Sequence, residues 1–95
     1  MDSDKHKILE AGLRGKELLL KGVIIPGDKD EHSVMVSIVL STDEELDFVI
    51  ERDATGDKLF DHLRKWVEVK GFIQELETGI RTIRITDYRV LAGFN

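Results

Sequence analysis

The stretch "LLLKGVIIPG", residues 18–27, limits the fold more than any other part of the chain. Leu18, Leu20 and Ile24 share one face of a two-residue period with Gly22, while Leu19, Val23 and Ile25 make the other face apolar as well. Such a strand is covered on both sides. A glycine weakens the middle of a strand or a helix, so Gly22 needs a reason to stand in so apolar a run. A strand that bends sharply to close a small barrel provides one. Pro26 then removes a backbone donor where pairing should stop, and "PGDKDEH" supplies turn residues.

The alternation continues downstream. "SVMVSIVLS" reads as a second strand with Val34, Val36, Ile38 and Leu40 inward and Met35, Ser37, Val39 and Ser41 outward. After the turn "TDEE", Leu46, Phe48 and Ile50 line the inner face of a third strand, with Asp47, Val49 and Glu51 outside. The period then changes. "GDKLFDHLRKW" sets Leu59, Phe60 and Leu63 at helical spacing, with Asp57 and Asp61 early and Arg64 and Lys65 late, as the helix dipole favours. A fourth strand, "WVEVKGFIQ", carries Val67, Val69, Gly71 and Ile73 on one face. "ETG" offers a tight hairpin before a fifth, "IRTIRITDYRVL", with Ile83 and Ile85 inward. Residues 1–15 read either as a short helix capped by Ser3 or Asp4 or as a frayed tail.

Three strands, a short helix and a hairpin, in that order, resemble the OB-fold, a five-stranded Greek-key barrel, over roughly Lys16 to Leu91. The likeness rests on Leu20, Gly22 and Ile24, on "WVEVKGFI" directly after the helix, and on Ile83 and Ile85. It implies an all-β fold with one short helix between strands three and four, a first strand coiled enough to pair with both the second and the fourth, and a single barrel domain over 16–95. The same order also fits another small β-barrel, or a sheet with one helix laid across it. At 95 residues the chain has room for one modest core.

Composition bounds the function. The chain has no cysteine, the opening "MDSDKHKILEAGLRG" lacks the apolar run of a secretory signal, and no apolar run is long enough to span a bilayer. These features lead us to expect a cytoplasmic protein with no membrane partner. No catalytic group and no cofactor are expected either. His32 and Ser33 are only sequence neighbours, His6, His32 and His62 lack ligand spacing, and "DKDEH" lacks the later glycine and carboxylate of a calcium loop, so no metal is expected.

The resemblance implies a ligand groove on the outer face of strands two and three, flanked by the loops after strand one and between strands four and five. Two readings of what binds follow. In the first, single-stranded DNA or RNA is held along strand five by Arg81, Arg84 and Arg89, with Tyr88 stacking a base. The competing account of those arginines is pairing with Glu51 or Asp47 on strand three. Trp66 and Phe72 are assigned to packing against the helix or the N-terminal segment. In the second reading, Met35, Val39 and Val49 form an apolar patch for a basic protein or for self-association. A small-molecule or oligosaccharide ligand is a third class, opposed by the lack of an aromatic platform. Charge favours the second reading: segments 26–33, 42–47 and 74–79 carry −2, −4 and −2, more than the whole chain's −5, so acid concentrates where phosphate would sit.

Overall fold

A computed structural model describes residues 16–76 and 78–91; the segment read as a short helix or tail, 1–15, lies outside them. Five strands are present: β1 Leu18–Pro26, β2 Ile38–Thr42, β3 Asp47–Ile50, β4 Trp66–Glu75 and β5 Arg81–Val90. Between β3 and β4 lie a one-turn helix, α1 Ala54–Asp57, and a 3-10 turn, Lys58–His62. The strands close into a barrel in the order β1-β2-β3-β5-β4. All neighbours are antiparallel except β3 and β5, which run parallel. This is an OB-fold-like arrangement.

Closure depends on β1. Its first part, Leu18–Val23, pairs with β4, and its second part, Gly22–Pro26, pairs with β2. Gly22 therefore lies opposite Thr42 on one side and Val67 on the other, and a β-carbon there would collide with the Ser41 carbonyl. Gly71 has the same role at the next seam: it pairs with Leu18 and Ile85, and a β-carbon would meet the Arg84 carbonyl. The two glycines face different strands rather than each other.

The core follows the expected alternation. Ile24, Ile38, Leu40, Phe48, Ile50, Val67, Val69, Ile83 and Ile85 are buried inside the barrel, and Leu59 caps it from the 3-10 turn. The helix begins earlier than its apolar spacing suggests, because the Asp53 carboxylate accepts the Gly56 amide at 2.8 Å as an N-cap. It also stops earlier. Arg64 donates its amide to Ile24 at 2.6 Å and Ile24 donates to Lys65 at 3.2 Å, so barrel pairing draws the chain out of the helix, with Arg64 at φ 65°.

Strand two is shorter than its alternation suggests. Residues 27–37 instead continue the β1–β2 hairpin as a projecting arm: Gly27 donates to Ser37, Val36 to Asp28 and Asp30 to Val34, each at 2.9 Å. Its turn is tied by Asp30, whose carboxylate accepts the amides of His32 and Val34. The arm extends past the end of the barrel, so Val34 and Val36, expected inside, are 57% and 39% exposed. Met35, expected outside, packs against the core; two-stranded ribbons twist more strongly than sheets, which turns it inward.

The glycine seams give a direct test. Gly22→Ala and Gly71→Ala should each lower stability by about 1–3 kcal/mol, because backbone rather than a movable side chain occupies the space. Urea denaturation measures this, and an alanine variant as stable as the parent would contradict the close approach.

Candidate binding faces of the barrel

The register sets one row of side chains across the outer surface of four strands. Ile25 pairs with Val39, Val39 with Val49, and Val49 with Thr82. Ile25, Val39 and Val49 are half-buried and form a short aliphatic stripe. Where β4 and β5 run into their hairpin, Leu76 donates its amide to Ile80 at 2.8 Å, so these two lie opposite each other. Both continue the parity of Gln74 and Thr82, and they are 40% and 49% exposed.

Carboxylates flank this stripe on its two sides. Asp28, Asp30 and Glu31 stand on the arm before β2, and Asp43, Glu45 and Asp47 stand at the β2–β3 turn after it. That turn is tied by Thr42: its hydroxyl donates to the Leu46 carbonyl at 2.8 Å and accepts the Leu46 amide at 3.1 Å, and the residue is only 8% exposed. The arm is held by Arg52. Its guanidinium binds Asp57 at 2.5 Å, donates to the Val36 carbonyl at 3.0 Å, and lies 4.7 Å from the centre of the Phe60 ring. The hydrogen bond to Asp57 holds the Arg52 pKa above its ordinary value.

The sequence-predicted patch is thus brought together only in part. Val39 and Val49 sit side by side as expected. Met35 is on the core side of the arm, and Ile25 takes its place in the stripe.

The predicted strand-five set divides for a different reason. Lys70 pairs with Asp87 but Gly71 pairs with Ile85, which leaves Thr86 as an extra residue in β5. Beyond this bulge the alternation reverses. Tyr88 turns inward to pack against the core, with its ring centre 5.8 Å from that of His62. Arg89 turns outward onto the face that already holds Arg84. Arg81, ahead of the bulge, keeps inward parity at the barrel's end; it is half-buried, and its Nε is enclosed without a hydrogen-bond partner.

Nor do the arginines pair with strand three. Arg89 binds Glu68 on β4 at 2.8 Å, and Arg84 stacks on Phe72, 4.8 Å from the ring centre. Glu51 instead faces the Thr82 hydroxyl at 3.4 Å. Phe72, assigned from sequence to packing, therefore carries a cation on its outer surface. The signal for the bulge was Asp87 in "ITDY", which interrupts a strand rich in β-formers. The Arg52 clamp had none beyond its closeness to Asp57.

Among the described residues no group of three or more histidine or acidic side chains could hold a metal ion, and no helix is long and apolar enough to cross a membrane. Comparison with protein-family models and with curated proteins gives no match.

Arg52→Ala should free the arm without opening the barrel. Hydrogen exchange would then accelerate at the amides of Gly27, Asp28 and Val36 while core-strand amides keep their protection. Unchanged exchange in the arm would show that Arg52 does not hold it.

Proposed function

We propose that the chain is a non-catalytic, OB-like binding module that uses the outer face of β1, β2 and β3 to hold a protein partner through a basic, amphipathic segment. The observation that supports this reading is the stripe Ile25–Val39–Val49 with acid on both sides. Aliphatic side chains give up water when covered, which contributes about 25 cal/mol for each Å² removed. The flanking carboxylates favour lysine and arginine in the partner and disfavour phosphate. No aromatic ring lies in the stripe, so it offers a base or a sugar no platform.

Three aliphatic side chains and a hairpin tip make a small interface, below about 1,200 Å² in total, which belongs to transient complexes. Its association should be salt-sensitive, because the acid is exposed and acts at a distance.

Selection from a random peptide display library tests the reading. Enriched peptides should combine apolar residues with lysine or arginine, and their binding should fall at least about 10-fold for Val39→Asp and for the surface pair Glu31→Lys with Asp43→Lys. The second variant lies outside the core and guards against misfolding of the first. No enrichment, or enriched peptides that bind both variants as well as the parent, would overturn it.

A further inference from the structure

An apolar track on β1 leads from the beginning of that strand to the stripe. On the outer face Leu19, Lys21, Val23 and Ile25 stand in file. Leu19 is 58% exposed, Val23 is half-buried, and Ile25 is the first residue of the stripe. Val23 pairs with Ser41 and Ser41 with Asp47, so the row next to the stripe runs to a carboxylate. The β2–β3 turn is drawn against the same strand, because Asp43 donates its amide to the Lys21 carbonyl at 3.2 Å. A segment lying on this file would cover Leu19, Val23 and Ile25 with the acid of the turn beside it.

The residues ahead of β1 have the composition that such a track selects. In "KHKILEAGLRGK", residues 5–16, Lys5, Lys7, Arg14 and Lys16 stand against a single carboxylate, Glu10, and Ile8, Leu9 and Leu13 are the large apolar residues; Asp2 and Asp4 lie outside this stretch. Its length also fits. Ile25 is seven residues beyond Leu18, about 23 Å along the strand, while Leu9 and Ile8 are nine and ten residues before it, about 30–33 Å of extended chain. Leu13 and Val23 are each five residues from Leu18. Gly12 and Gly15 are suited to the reversal that would lay one file over the other.

We infer that residues 5–14 fold back over the outer face of β1 and occupy the stripe of their own chain, with Leu13 towards Val23, Ile8 and Leu9 on Ile25 and Val39, and the cations towards the acid of the turn and the arm. This rests on the reading of the stripe as a site for a basic, amphipathic segment, and it adds regulation: an outside partner must displace a resident one. A short tether holds the segment at an effective concentration on the order of millimolar, so a contact too weak to persist between separate molecules fills the site within one chain. The partner's apparent affinity then falls in proportion to the fraction of molecules whose stripe is open.

The test is paramagnetic broadening of amide resonances in the full chain. The sequence has no cysteine, so Ser3→Cys provides a single site for a nitroxide label. The label should broaden the amides of Val39, Val49 and the arm more than those of Val69 and Tyr88. Ile8→Asp with Leu9→Asp should abolish that pattern, and Lys5→Glu with Lys7→Glu, which leaves the apolar residues in place, should weaken it. No broadening, a pattern centred on Leu46 and Ile73 at the end of the barrel, or a pattern unchanged in both variants would each overturn the inference. So would broadening of an isotope-labelled, nitroxide-free chain mixed with the nitroxide-labelled one, which would mean that a second copy supplies the segment. A peptide that binds the stripe should bind the Ile8→Asp, Leu9→Asp chain at least about 3-fold more tightly than the parent. The two readings fail separately. Stripe broadening with no peptide bound by either chain keeps the resident segment and removes the outside partner, whereas equal peptide affinity without stripe broadening removes the segment and keeps the partner.

Discussion

One strand serving two partners is the constraint on which the molecule depends. β1 gives its first half to β4 and its second half to β2, and at Gly22 it must do both. Each β-carbon in a strand stands out from the sheet, and at a coiled seam it meets the neighbouring backbone. Only a residue without one lets the strands approach as closely as Gly22 and Ser41 do. Closure in turn decides what is inside. Once the sheet meets itself, alternate residues of every strand line a single dry interior, and the remainder must form the outer surface.

The interior was legible because it depends on this two-residue period. Ile38, Leu40, Phe48, Ile50, Val67, Val69, Ile83 and Ile85 all lie where alternation puts them. What the pattern missed is where something other than parity decides. Val34 and Val36 continue the alternation of β2, but the barrel ends before they do, so inward positions have no core to enter. The last turn of the helix is lost to hydrogen bonds with Ile24, a partner about forty residues distant that no local period contains. Tyr88 changed faces because Thr86 adds one residue to β5, and a shift of one residue moves every side chain after it to the opposite side. The candidate sites inherit these limits: Val39 and Val49 were legible as neighbours, whereas Ile25 in place of Met35 and Phe72 beneath Arg84 became visible only with the register known.

Charge is distributed by the same topology. The arm and the β2–β3 turn lie outside the sheet, hold most of the exposed acid among the described residues and flank the aliphatic stripe on its two sides. The cations of β1, β4 and β5 lie within the sheet, where cross-strand neighbours fix their spacing. A chain with a net charge of −5 therefore presents two unlike surfaces, and the overall sign says little about either one. Local charge acts over about a Debye length, roughly 8 Å at physiological salt, which is shorter than the barrel's smallest extent of 25 Å. Along β1, however, the two faces meet: Asp43 of the β2–β3 turn donates its amide to the Lys21 carbonyl at 3.2 Å.

The most direct measurement is a map of through-space proton contacts by nuclear magnetic resonance. The closed barrel requires contacts from Leu20 to Val69 together with contacts from Ile24 to Leu40, and the bulge requires the Tyr88 ring to reach His62. Contacts from β1 to β2 with none to β4 would mean an open sheet. A Tyr88 ring on the outer face with no contact to His62 would restore strict alternation in β5 and contradict the bulge at Thr86.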